Sequence, residues 1–227
     1  MLPTPPRGAP AKPTRPELPK EFVAALKRQR IIDAVAELTA ERGYESTKIA
    51  DIVARAGIAR KTLYDNFDGK EDVFLAAFDN GLDDVTRRIE EACESAGENW
   101  RARVEAGLGA LLGFIADRPA IARLCIIEAL SATPSSAVRH ERAIEGFVET
   151  LRRSTPNDTE LPDTIEETLV GGVTWILNQR LRRGEANRAP QLLPELSEFV
   201  LSPYLGVSNS IPVRADETDS TLADSNT

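Results

Sequence analysis

Arg60, Lys61, Thr62 and Tyr64 stand in one short segment with Leu63 and Phe67. In a helix, the four-residue spacing puts Leu63 and Phe67 on one apolar side and leaves Arg60, Lys61 and Tyr64 together on the other. Two cations and a phenol on one face can donate to phosphate oxygens and to the N7 and O6 acceptors of guanine, the chemistry of a major-groove reader. Catalytic chemistry has less to start from. The chain has one histidine, His140, at helical spacing from Ile144, Phe147 and Leu151, so a satisfied core residue is the simpler reading and a ligand contact the alternative. No metal-ligand cluster, phosphate-binding loop or dinucleotide glycine fingerprint accompanies it. The sequence is therefore expected to have no catalytic residues, metal or cofactor.

A helix as short as the one expected here, about Arg60 to Asn66, is unstable alone and must be held by neighbours. Upstream, Thr47 is placed to cap a short helix whose apolar side is Ala50, Ile52 and Val53, and Gly57 permits a tight turn into the second helix. Before these, Phe22 to Arg42 carries Ile31, Val35 and Leu38 at helical spacing, with Gly43 suited to a left-handed stop. After them, Asp68-Gly69-Lys70-Glu71 has capping-box spacing and opens a long helix to about Gly97, striped by Phe74, Phe78, Leu82, Val85 and Ile89.

This arrangement resembles the DNA-binding domain of the tetracycline-repressor (TetR) family over about residues 25–75. The resemblance is carried by Gly43-Tyr44, Ser46-Thr47 with Asp51-Ile52, Ala56-Gly57-Ile58, Thr62-Leu63-Tyr64 with Asn66-Phe67, and Lys70-Glu71. It departs at Val53, where the family usually has Ala, at Ala59, where a capping Ser or Thr is usual, and at Lys61 and Asp65. The resemblance implies a bacterial transcription regulator, a repressor released from its operator by a hydrophobic small molecule. It implies that Thr47, Tyr64 and Lys70, with Lys48 and Asn66 as weaker candidates, contact phosphate, and that Arg60, Lys61 and Thr62 read base edges.

The formal net charge of −8 argues against nucleic acid only until its distribution is seen. Residues 20–70 hold 10 Lys and Arg against 8 Asp and Glu, so the acid lies elsewhere. The expected fold is all-α: a Pro-rich basic arm (1–20), a three-helix helix-turn-helix domain (21–68), a helical ligand-binding and dimerisation domain (69–206), and an acidic tail (207–227). Further helices are expected at about Trp100–Asp117, Pro119–Ala132, Ser135–Arg153, Pro162–Arg183 and Pro190–Leu205. Gly107, Gly109 and Gly113 within one of them allow close helix approach or space for a ligand. Cys93 and Cys125 read as buried free thiols, and no segment is apolar enough to span a membrane, so a cytoplasmic protein is expected.

The ligand pocket is assigned to Leu108, Leu111, Leu112, Ile115, Ile127, Glu128, Leu130, Phe147, Leu151 and Trp175, with Glu128 either selecting a donor group or pairing with Arg123. Homodimerisation is assigned to Leu169, Val173, Ile176, Leu177, Leu196, Phe199 and Val200. The expected partners are operator double-stranded DNA, a second copy of the chain, and an apolar inducer. An enzyme and a DNA-free interaction module are the competing classes, and sequence-specific DNA binding separates them from the regulator.

Overall fold

The computed structural model describes residues 19–155, 161–162 and 164–205. Most of the expected arm and all of the expected tail lie outside them. Among the described residues the secondary structure is entirely helical: α1 (Lys20–Arg42), α2 (Ile49–Ala56), α3 (Arg60–Tyr64), α4 (Lys70–Ser95), α5 (Trp100–Asp117), α6 (Pro119–Ile126), α7 (Pro134–Ser154), α8 (Ile165–Arg182) and α9 (Leu193–Leu201), with short 3-10 segments after α6, before α9 and after α9.

The stripe of α1 is buried as its spacing demands: Ile31, Ile32, Val35 and Leu38 meet Ile52 of α2, Leu63 of α3 and Phe74 of α4 in one core. Polar clamps fix the short second helix. Arg55 of α2 donates to Glu37 and Glu41 of α1, each at 2.9 Å, and Arg42 pairs with Asp51 at 2.7 Å. α1 also packs on α6, so the N-terminal helices and the helical body share a continuous apolar core.

Several local expectations are corrected. Thr47 does not cap α2. Lys48 holds the N-cap position, its N–H donates to Asp51 Oδ2 at 3.2 Å, and the buried Thr47 hydroxyl donates to Gly43 O at 2.9 Å. The capping box at Asp68 to Glu71 does not form either. α4 starts at Lys70, and Asp72 accepts from the Asp68 N–H at 3.0 Å. Gly43 has a positive φ of 81° but an extended ψ of 162°, so it turns the chain without being a left-handed helical stop. The continuous helix expected from Pro119 to Ala132 breaks at Ile127, and a 3-10 turn covers Glu128–Leu130. The last expected helix is likewise divided, with 3-10 turns on both sides of α9.

α4 runs the length of the body and packs on α5, α6 and α7. It meets α6 closely at Gly81, where a Cβ would lie 2.5 Å from Ile121 Cγ2 and 2.9 Å from Cys125 Sγ. Gly107 of α5 plays the same part farther along, where a Cβ would lie 3.2 Å from Cys93 Sγ.

Candidate nucleic-acid interface and ligand cavity

Gly57 turns α2 into α3. Its φ of 62° and ψ of 44° are left-handed, and the Ile58 N–H closes the turn on Val53 O at 3.2 Å. Arg30 of α1 donates to Gly57 O at 3.3 Å and so braces the turn. Leu63 and Phe67 then seat α3 on the core, with the Arg28 guanidinium 4.9 Å above the Phe67 ring.

The opposite face is open. Arg60, Lys61, Tyr64 and Asn66 are exposed and Thr62 is half-buried. Arg60 lies 5.7 Å from the Tyr64 ring centroid and 3.4 Å from its hydroxyl, a loose pairing that leaves most of its five donors unused. Asn66 Nδ2 donates to Thr62 O at 2.7 Å, which fixes the amide beside the helix end. Lys48 is exposed at the start of α2. Lys70 is more constrained than its spacing suggests: its Nζ donates to Tyr44 O at 3.1 Å and lies 3.9 Å from the Tyr44 ring centroid. One or two of its three N–H groups can still meet an anion. Thr47 differs. It is 1% exposed and its hydroxyl is committed, so it positions the loop between α1 and α2 and does not present a hydroxyl to a phosphate. The spacing could not reveal the bracing by Arg28 and Arg30, because it depends on which face of α1 meets α3.

The body holds an apolar cavity of about 220 Å³, partly open to solvent, between α4, α5, α6, α7 and α8. Of the residues expected to line it, Leu108, Leu111, Phe147 and Leu151 do. The others are elsewhere. Leu112, Ile115 and Ile127 are packed core. Leu130 and Trp175 are exposed at 51% and 65%. Glu128 lies 3.8 Å from Arg123 and pairs with it, the second of its two expected roles. Sequence reasoning missed the contribution of α4 (Phe78, Val85, Ile89) and the polar points Cys125 and Arg103; His140, whose alternative reading was a ligand contact, also stands in the wall. A helical stripe shows that a face is apolar and does not show whether a neighbour fills it.

Both thiols are free and face this space, with Cys125 donating to Phe78 O at 3.8 Å and Cys93 to Arg103 O at 3.4 Å. Burial pushes the Cys125 thiol up to about 12 and, to a smaller extent, raises Cys93. Burial also lowers the pKa of His140, favouring neutral imidazole. Among the described residues no group of three His, Cys, Asp or Glu side chains is placed to hold a metal ion, and no single helix is long and apolar enough to cross a membrane.

The expected dimer residues also require correction. Leu169, Val173, Leu177, Leu196 and Val200 are buried within the single chain and belong to its own core, and Ile176 is half-buried. Of that set Phe199 is exposed, at 38%, and directs the Cζ end of its ring at Gly172, where a Cβ would sit 2.9 Å from Cζ. With Trp175 it forms the apolar outer surface of α8 and α9.

Residues 31–77, which contain α2, α3 and the turn between them, match the profile of bacterial regulatory proteins of the tetR family. A transcriptional regulator of Bacillus subtilis, YezE, is 38% identical over 78 residues, covering 34% of this chain and 38% of that one. The fatty acid metabolism regulator protein of the same organism is 37% identical over 65 residues, covering 29% and 34%. These alignments thus span little more than a third of either relative. The fold similarity extends farther. The transcriptional regulator FadR from Bacillus subtilis, solved in complex with stearoyl-CoA, superposes with a TM-score of 0.66 at 18% identity, covering 77% of this chain and 98% of that one. Residues 31–77 thus carry the helix-turn-helix of the tetR family of bacterial regulatory proteins, and the helical body around them shares the fold of a solved regulator.

Proposed function

We propose that the protein is a homodimeric, ligand-controlled regulator that binds double-stranded operator DNA through α3 and is released by an apolar small molecule held in the cavity. The observation that carries the DNA reading is the open face of α3. Arg60, Lys61 and Tyr64 point outward together while Leu63 and Phe67 fix the helix from behind. On this reading Arg60, Lys61 and Thr62 approach base edges, and Tyr64, Lys48, Asn66 and Lys70 approach phosphates.

The ligand reading is supported by the cavity's apolar wall. It is also supported by two comparisons: a relative whose name is fatty acid metabolism regulator protein, and a similar fold crystallised with stearoyl-CoA. The dimer reading is supported by the exposed Trp175 and Phe199 on the outer faces of α8 and α9.

The test is selection of bound duplexes from a random pool, followed by mobility-shift titration. The selected sites are expected to be two-fold symmetric. Lys61→Ala should relax the preference at one or more positions and weaken binding by about 1–3 kcal/mol for a good base contact. Lys48→Ala should weaken all sequences alike and reduce the salt dependence. A pool that yields no preferred sequence would defeat the reading.

A further inference from the structure

The cavity has a direction. Gly81 and Cys125 mark one end, against α6, while Cys93 and Arg103 mark the other. Gly81 and Cys93 are twelve residues apart on α4, which is roughly 18 Å at about 1.5 Å per residue. About 220 Å³ spread along that length leaves a bore suited to one flexible chain rather than a broad fused ring system.

The two ends differ in polarity. At the Arg103 end, the wall residues Arg103, Thr150 and Ser154 are exposed, so this is where the cavity opens to solvent. The two hydroxyls there donate to helix carbonyls, Thr150 to Gly146 O at 2.8 Å and Ser154 to Thr150 O at 2.6 Å. Arg103 is different: among the described residues its guanidinium has no ion pair or hydrogen bond. The inner end is lined by Phe78, Gly81, Ile126 and the neutral-favouring His140.

We propose that the cavity takes a single-chain amphiphile with an anionic head, the head on Arg103 and the chain running inward toward Gly81. This rests on the reading that the body holds an apolar ligand, and it adds a headgroup and an orientation. The guanidinium offers a planar pair of donors to a carboxylate or phosphate, whereas a charge carried deeper would meet a largely apolar wall whose polar points are a desolvated imidazole, His140, and the Cys125 thiol. A chain of about fourteen carbons, advancing about 1.25 Å each because its bonds of about 1.5 Å zigzag, reaches the inner end. There it meets the close contact of α4 and α6 at Gly81 and Ile121.

Calorimetric titration of the full-length chain tests this, with tetradecanoate, tetradecanoyl-CoA and uncharged tetradecanol as probes. Arg103→Gln should lower the affinity for at least one anionic probe about tenfold, equivalent to about 1.4 kcal/mol, and leave tetradecanol within about twofold. Arg103→Lys should recover part of the loss. A loss confined to tetradecanoate identifies a free carboxylate as the head, and a loss confined to the thioester identifies its phosphates. Equal affinity of Arg103→Gln and wild type for both anions would overturn the assignment of the head while leaving the ligand reading intact. If none of the three probes binds the wild-type chain, the single-chain ligand itself is overturned, whatever Arg103 does.

Discussion

Single residues in this chain owe their roles to what the fold places opposite them. Thr47 and Lys70 have the types expected of phosphate contacts, yet one hydroxyl is bonded inward to Gly43 O and one ammonium is held by Tyr44. Ala59, by contrast, sits at the α3 N-cap without a side-chain bond, as its type requires. His140 has a consequence for stability. It faces the cavity, and burial lowers its pKa below the ordinary value of 6.5. Between the lowered folded value and 6.5 the unfolded chain binds more protons, so the stability set by this residue rises with pH and is lost on acidification. His140→Gln removes that dependence. The melting temperature of the wild type should therefore fall further than that of His140→Gln between about pH 7.5 and pH 5.5, around the ordinary histidine value. Parallel curves would show that the imidazole is not desolvated.

At the scale of helices, the junction of α5 and α6 holds α1 and α4 together. Arg118 lies 3.4 Å from Asp33 of α1 and 3.4 Å from Asp84 of α4, and Arg88 of α4 reaches Asp117 at 2.9 Å. These groups are part-exposed, so Arg118→Ala should cost under about 1 kcal/mol of stability. Its larger effect should be on coupling: on the proposed ligand reading, the factor by which bound tetradecanoate lowers DNA affinity should shrink, because a polar tie between α1 and α4 is lost while their apolar contact remains. DNA titrations with and without the ligand, in both proteins, measure that factor directly. An unchanged factor would reduce the network to a surface feature. What the sequence made legible follows the same division. The apolar stripes of α1 and α4, the turn at Gly57 and the outward trio of α3 are local patterns, readable from spacing alone. The break at Ile127 and the sorting of apolar residues between core, cavity and outer surface depend on partners distant in sequence. Leu112 and Leu111 are adjacent and equally apolar, yet the first is packed solid and the second faces the cavity. Arg103 was not singled out because a lone exposed arginine has no signature until a cavity opens beside it.

For the whole molecule, the proposed DNA reading requires two α3 helices at a fixed separation, and the chain must then present a surface by which it pairs. The stripes first assigned to pairing are consumed by its own core, which leaves the outer face of α8 and α9. There Trp175 is 65% exposed, and Phe199, 38% exposed, directs the Cζ end of its ring at Gly172. A glutamate at Trp175 would leave the core untouched, since the side chain it replaces makes little contact within the chain. It would set two like charges against each other across a two-fold contact, because each copy offers the same patch. Trp175→Glu should accordingly sediment as a monomer at concentrations where the wild type is a dimer. DNA binding should respond in a way that separates pairing from damage to α3. On a duplex with two half-sites the wild type gains from tethering, and the variant should bind about 10²–10⁴-fold more weakly. On a duplex with one half-site, where the second α3 has nothing to contact, the two proteins should bind alike. A Trp175→Glu chain that remains dimeric would place the contact on another face, and one that loses affinity equally on both duplexes would show that the substitution reached the DNA-binding helices instead.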